Sequence, residues 1–324
     1  MDIRQLRAVV AVVEHHGVTR AAEELHVAQP SLSQTIQSLE REVGVELFHR
    51  VGRRLVLSAA GEALLGPARQ VLRDMATVAA SVAEIRGLTA GRLDLVAEPT
   101  LAVDPVARLI GAFRVAHPKV VVHLAEPEGA AEVVQRLADG RSELGLAELP
   151  MSGPGLITEE MEVQDVLVVR PPGSEAMPAG LAVGDLAGVP LVTTPIGTSS
   201  RALVERTLAA ASVTPVVAVE TGQREALLPL VLAGAGTALL PRPLAEEAGR
   251  RGAVVADLRP PLRRSVGLVY RRAQLSPAAR AFVELARRQS AAGSSTAKVA
   301  SSRASQSTGV ESTAHASPSK RTTR

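Results

Sequence analysis

Two sets of residues in this 324-residue chain carry usable chemistry. The first runs from Gln29 to Ser38. Gln29, Ser31, Ser33, Gln34, Gln37 and Ser38 share one side of a helical pattern, while Leu32, Ile36 and Leu39 recur on the other. Short hydroxyls and amides can hydrogen-bond base edges without repelling phosphate. A solvated helix face usually carries Glu and Lys, yet this one holds no acid before Glu40. Taken alone it is equally an ordinary polar surface. Arg50, Arg53 and Arg54 follow at the tip of two short strand-like runs, and three arginines without a neighbouring acid suit phosphate. The second set is a pair of turns, Glu98-Pro99-Thr100-Leu101 and Pro195-Ile196-Gly197-Thr198-Ser199, each leading from a strand-like run into a helix. Free N–H groups and the helix dipole point at ligands bound there. Gly197 permits close backbone approach, and Thr198 and Ser199 can donate to a bound oxygen. A plain N-cap is the competing reading of the second turn; two such turns on a common cleft favour a ligand.

The elements that position these groups are legible from periodicity. Ile3, Leu6, Val9, Val10 and Val13 make a first helix, ended by Gly17. A second helix, capped by Thr19, turns Ala21, Ala22 and Leu25 inward. Pro30 suits the first turn of a third helix, where its missing N–H is an orphan anyway. Helix, Ala-rich helix, tight turn and polar-faced helix form the helix-turn-helix order, and the Arg-tipped hairpin beside it reads as a wing. Ser58 caps a long helix over 59–90, roughly 45 Å at ~1.5 Å per residue. Its stripe (Leu64, Leu65, Val71, Leu72, Met75, Val78, Val82, Ile85) is too long to bury on a small domain and predicts packing against a second copy. The competing reading is packing on its own neighbouring domain. Residues 91–290 alternate strand-like runs and amphipathic helices, an α/β pattern. Residues 291–324 are mostly Ala, Ser and Thr without apolar periodicity and read as a disordered tail.

Composition removes several classes. There is no Cys, which excludes disulfide scaffolds, cysteine-based metal sites and a cysteine nucleophile. Three Phe, one Tyr and no Trp argue against a base-stacking platform. The net charge of +3 does not by itself call for nucleic acid. No apolar run reaches the ~18–20 residues of a spanning helix, so no membrane association is expected. No signal peptide is visible at the start, and the cytoplasm is the expected compartment. Gly234-Ala235-Gly236 lacks the third glycine of a dinucleotide fingerprint, since position 239 is Leu239. The His15-His16 pair has no third ligand, and no catalytic constellation is found. No cofactor, metal or enzymatic activity is expected.

Residues 1–65 resemble the DNA-binding domain of LysR-type transcriptional regulators. The resemblance rests on Ile3-Arg4-Gln5-Leu6, on Val18-Thr19-Arg20-Ala21-Ala22-Glu23-Glu24-Leu25, and on Val27 through Ile36 with Leu39-Glu40. Gly44-Val45-Glu46-Leu47-Phe48-His49-Arg50 and Leu57-Ser58-Ala59-Ala60-Gly61-Glu62 complete it. More weakly, 91–290 resembles the family's effector-binding domain. The implied fold is an N-terminal winged helix-turn-helix (1–58), a linker helix (59–90) and an effector domain of two periplasmic-binding-protein-like α/β lobes. Lobe I is 91–162 with 267–290, and lobe II is 163–266.

By position, the family reads DNA at Gln29, Pro30, Ser31, Ser33, Gln34 and Gln37, with Arg50, Arg53 and Arg54 on the wing. Thr35 stands where relatives often carry a longer polar or basic residue, which leaves the base preference open. The effector-site candidates are Glu98, Thr100, Leu101, Gly197, Thr198, Ser199 and Thr221. Glu98 replaces a small hydroxyl common in relatives. Facing the cleft, it would disfavour a simple anionic effector and favour a cationic, polyhydroxyl or amide-bearing one; pointing to solvent is the other reading. The implied partners are double-stranded DNA, an unidentified small-molecule effector, further copies of the chain as homodimer and homotetramer, and RNA polymerase. The alternative is a cytoplasmic small-molecule binding protein dimerised through its N-terminal helices without specific DNA binding. The wing arginines count against it, and an enzyme on the α/β domain is the least supported reading.

Overall fold

The computed structural model describes residues 1–51, 54–85, 91–127, 129–178, 180–272 and 275–291. Arg53, the side chain of Arg54, residues 86–90 and the tail beyond 291 lie outside the described residues.

Three helices open the chain: α1 (Ile3–Glu14), α2 (Val18–Glu24) and α3 (Gln29–Val43). Asp2 starts α1 in a reciprocal capping box with Gln5. The second helix is not capped by Thr19 as expected. Gly17 occupies the N-cap and Thr19 lies inside the helix, because the chain turns through His16 and Gly17 at positive φ (54° and 151°). Pro30 sits in the first turn of α3, and Gly44 closes that helix in the left-handed region at φ 76°. Glu40 Oε1 then accepts from the N–H groups of Leu47 (2.8 Å) and Phe48 (3.3 Å), folding the chain back along α3. The antiparallel hairpin β1 (Phe48–Val51) and β2 (Arg54–Leu57) follows. Val9, Val12, Ala21, Ala22, Leu32, Ile36, Leu39, Leu47 and Phe48 form one core beneath these elements.

The linker helix α4 (Ala59–Ile85) is capped by Ser58, whose Oγ accepts from the Gly61 N–H at 3.0 Å. Its first half packs Leu64, Leu65, Ala68 and Leu72 against Leu6 and Val10 of α1. Its second half shows a different face: Val71, Met75, Val78 and Val82 stand exposed. The first half of the stripe thus packs on its own neighbouring domain, and the second half is left free of intrachain cover.

The α/β region begins with β3 (Gly91–Ala97) and a short helix, α5 (Pro99–Leu101). After a kink at Asp104 comes α6 (Ala107–Ala116), followed by β4 (Val120–Ala125), α7 (Ala130–Ala138) and β5 (Leu144–Leu149). The long strand β6 (Leu156–Arg170) leads to β7 (Leu181–Ala182), β8 (Pro190–Thr193), α8 (Ser199–Ala210) and β9 (Val216–Glu220). Then come α9 (Leu227–Leu232), β10 (Ala238–Pro241), α10 (Arg242–Arg250), β11 (Val254–Ala256), β12 (Leu258–Arg259), β13 (Leu262–Arg271) and a closing helix α11 over 277–291.

One sheet runs β10-β6-β13-β5-β3-β4, with β11 also paired to β6. In the first lobe β4, β3 and β5 are parallel, with β3 between the other two. In the second, β8 pairs in parallel with β9, and Leu191 of β8 bridges in parallel to Thr237 on its other side. Each lobe thus has its first strand in the middle, and the order reverses beside that strand. The glycines set aside as a cofactor motif instead allow close backbone packing: a Cβ on Gly236 would lie 2.8 Å from the Pro190 carbonyl oxygen. β6 and β13 run together through both lobes, and their ladder extends from Leu262↔Val166 to Arg271↔Leu156. Among the described residues, no helix is long and apolar enough to cross a membrane.

Candidate DNA interface and effector cleft

On α3, Leu32, Ile36 and Leu39 are buried while Gln29, Pro30, Ser31, Gln34 and Gln37 are exposed and Ser33 and Ser38 half-buried. Gln29 Nε2 donates to Ser33 Oγ at 3.0 Å and Thr35 Oγ1 to the Ser31 carbonyl at 2.9 Å, which fixes the rotamers at the start of the face. Arg50 is exposed on β1, across an open groove of about 830 Å³ that Thr19, Arg20 and Gln29 also line. The start of α2, Arg20, Arg50 and, from the Gln/Ser face, Gln29 therefore border one concavity.

The second site lies where the two lobes meet. Ligands of open α/β sheets bind beyond the carboxyl ends of strands where strand order reverses. In the first lobe those ends are Glu98 after β3 and Glu148-Leu149-Pro150 closing β5; in the second they are Thr194 to Ser199 after β8. Between the lobes, bordered by Glu148-Leu149-Pro150 and Gly197-Thr198-Ser199, lies an open cavity of about 650 Å³ that Ala130, Ala131, Met151 and Arg206 also line. Ligand pockets typically measure ~300–1,000 Å³.

Glu98 faces this interface and is 5% exposed. Its carboxylate accepts from Ser199 Oγ at 2.8 Å across the cleft and from the Glu148 backbone N–H. Burial raises its pKa above the ordinary carboxylate value, against the pull of the Ser199 hydrogen bond. Burial raises Glu148 too, with Arg264 and Arg206 opposing it. Glu148 Oε1 meets Arg206 Nη2 at 3.2 Å, whereas its Oε2 is buried without a hydrogen-bond partner. Beneath them Arg264, 4% exposed, donates to Thr100 Oγ1 (2.8 Å) and to Gln164 Oε1 (2.7 and 3.1 Å).

Gly197, Thr198 and Ser199 line the cavity and Glu98 touches Ser199. The remaining candidates sit elsewhere. Leu101 is fully buried in the first lobe's core, because the short helix α5 turns that side chain under the sheet instead of toward the cleft. Thr100 is buried at the floor as an acceptor for Arg264. Thr198 is the N-cap expected of the competing reading: its Oγ1 accepts from the Arg201 N–H, donates to the Pro195 carbonyl and pairs with Thr194. Thr221 Oγ1 accepts from the Gln223 N–H outside the cavity. Glu148, Arg206 and Arg264 were not singled out by sequence. The adjacency of β5 to β3, and of β13 to β5, brings Glu148 and Arg264 to the cleft, and α8, which follows strand β8, brings Arg206.

A helix-turn-helix module tied by one long helix to a two-lobed α/β domain, with a cavity at facing switch points, is the build of a ligand-responsive DNA-binding regulator. Comparison with known proteins agrees. The LysR substrate binding domain matches residues 86–291, and the bacterial regulatory helix-turn-helix protein, lysR family, matches residues 3–62. The chain belongs to the LysR family of bacterial transcriptional regulators, with a helix-turn-helix DNA-binding domain and an effector-binding domain. It is 31% identical over 291 residues to the RuBisCO operon transcriptional regulator of Allochromatium vinosum, covering 88% of this chain and 95% of that protein. Full-length CbnR, solved in complex with its target DNA, superposes with a TM-score of 0.63 at 26% identity over 89% of this chain and 99% of CbnR. A full-length OxyR variant from Pseudomonas aeruginosa shares the fold, with a TM-score of 0.73 at 23% identity over 88% of this chain and 93% of that one.

Proposed function

We propose that this regulator reads an interrupted inverted repeat in double-stranded DNA as a homodimer, with α3 in the major groove. Gln29, Pro30, Ser31, Ser33, Gln34 and Gln37 approach base edges, while Arg50, Arg53 and Arg54 hold phosphates. The observation that carries the reading is the acid-free Gln/Ser face of α3, exposed opposite a face that is entirely core. The exposed stripe Val71, Met75, Val78 and Val82 supports dimerisation through α4. Exposed apolar side chains on both lobes support pairing of dimers into a tetramer: Val121 and Leu124 on edge strand β4 of one lobe, and Val216 and Val217 on β9 of the other. A small effector in the interlobe cavity changes the angle between dimers and hence the DNA bend. That step requires unequal affinity for the two arrangements. The working units are 1–58, 59–90, the lobes within 91–290 and the tail 291–324, in a cytoplasmic protein that acts beside RNA polymerase.

Capture of fragmented host genomic DNA by the purified protein, followed by sequencing, tests this. Discrete fragments sharing an inverted repeat are expected, and the genes beside them nominate the effector's pathway. Featureless capture by folded protein at moderate salt refutes specific reading and leaves a ligand-binding dimer.

A further inference from the structure

The cleft is electrically sorted. Among the described residues, three side-chain contacts span it, each with its donor on lobe II and its acceptor on lobe I: Ser199 to Glu98 (2.8 Å), Arg206 to Glu148 (3.2 Å) and Arg224 to Glu126 (3.7 Å). At the floor Arg264 donates to Thr100 in the same sense. Lobe I thus presents carboxylates to the gap, and lobe II presents a hydroxyl and guanidinium groups, with the positive end of the α8 dipole behind them. A molecule that enters between the lobes displaces these contacts and must satisfy Glu98 and Glu148, because buried charges left unpaired are costly, while Arg206, 63% exposed at the rim, is free to turn to an anionic group. Toward lobe I it needs a cationic N–H donor, for Glu98 and for the orphaned Oε2 of Glu148. Toward lobe II it needs an anionic acceptor. The N-terminus of α7, whose first residues line the same cavity and which has no side-chain cap, offers that acceptor further amides.

We infer that the effector is a small zwitterion of the amino-acid class, its ammonium held by Glu148 and Glu98 of lobe I and its carboxylate by Arg206 and Ser199 of lobe II. The inference rests on the reading of this cavity as the effector site. It departs from both simple alternatives: an anion alone leaves the Glu148 Oε2 atom without a donor, and an amine alone leaves the solvent-facing Arg206 and the uncapped α7 amides without an acceptor.

Calorimetric titration of the full-length protein with the protein amino acids, ornithine and citrulline tests it. The strongest binder is then compared with its decarboxylated amine and its deaminated acid. The zwitterion should bind at least tenfold more tightly than either truncated analogue. Glu148→Gln and Arg206→Gln should each weaken it at least tenfold. The analogue comparison needs no variant and stands even if a substitution disturbs folding. Absence of binding by every zwitterion, or an acid binding as tightly as its parent, overturns the inference. The same samples are assayed for retention of a captured DNA fragment. Protein that selects its DNA yet ignores zwitterions loses only this inference, whereas protein that selects no DNA loses the regulator reading as well.

Discussion

A charge placed on the outer stripe of α4 should take the dimer apart. Val71, Met75, Val78 and Val82 are 40%, 53%, 62% and 56% exposed, which amounts to about two fully exposed apolar side chains per protomer. Burying a Val or Met side chain is worth ~1.5–3 kcal/mol, so the stripe offers about 3–6 kcal/mol per protomer and twice that across a two-fold interface. Association itself costs ~4–15 kcal/mol, so the seam has little in reserve. Val78→Glu removes the most exposed of the four from both protomers, about 2–4 kcal/mol together. It also brings two carboxylates into an apolar contact. The combined loss of at least ~4 kcal/mol corresponds to roughly a thousandfold weaker dimer. The monomer should survive, because position 78 is mostly solvated and Glu is a good helix former. Sedimentation velocity over a concentration series reads the shift, with Val78→Leu as the variant that keeps the dimer. A Val78→Glu protein that stays dimeric with an unchanged dissociation constant would refute α4 as the seam.

Gln34→Ala and Gln37→Ala should each cost ~1–3 kcal/mol of discrimination while leaving the salt dependence intact. Arg50→Ala should instead weaken all sequences alike and lower the salt slope by about one per phosphate lost. Anisotropy titrations across a salt series distinguish these patterns, and identical behaviour of the Gln and Arg variants would count against the division of labour. Burial raises the Glu98 pKa, so the folded chain holds that proton more tightly than the unfolded one. The associated stability is present below the unfolded value near 4.5 and is lost as pH rises through the elevated folded value. Glu98→Gln should therefore match the wild type in melting temperature near pH 4 and exceed it at pH 7; a variant that melts lower at pH 7 contradicts this. A Cβ at Gly61 would lie 2.2 Å from the Leu47 carbonyl oxygen and 2.7 Å from Leu57 Cδ2. Gly61→Ala should cost the N-terminal module about 1–3 kcal/mol, and a thermal melt unchanged within a degree would show that the joint can yield.

What could be read from the sequence was local. The period of Leu32, Ile36 and Leu39 belongs to α3 alone and needs no knowledge of the rest. The strand-to-helix turns at Glu98 and Gly197 announce themselves by a change of period. The errors have local causes too. Thr19 is a good cap residue, but the backbone at Gly17 had already started the helix. Thr198 is not such an error: it lines the cavity, although its hydroxyl also serves the α8 cap and pairs with Thr194. Leu101 follows a cleft strand, and only the direction in which α5 turns sends it into the core. Glu148 and Arg206 carry the rest of the lesson. One ends an apolar strand and the other sits mid-helix, where a charge normally means solvent. Their meeting depends on strand order, which no period encodes.

A cleft ligand can act on DNA only if some element carries lobe geometry to the linker helix, and β13 has the right endpoints. Near its start Arg264 lies under the cleft against Thr100 and Gln164. At its end Arg271 donates to Gln70 of α4. Gln70 is shared with Arg73, whose guanidinium also reaches the Gly140 carbonyl of lobe I and whose pKa burial pushes down to about 10. Between these ends β13 is hydrogen-bonded to β5 on one side and β6 on the other, with a bulge against β6 at Val266-Gly267. A zwitterion that separates Arg206 from Glu148 changes the spacing of the lobes that β6 and β13 join. The contact through which such a change reaches the linker helix is the half-buried pair Arg73 and Arg271 donating to one glutamine of α4, Gln70.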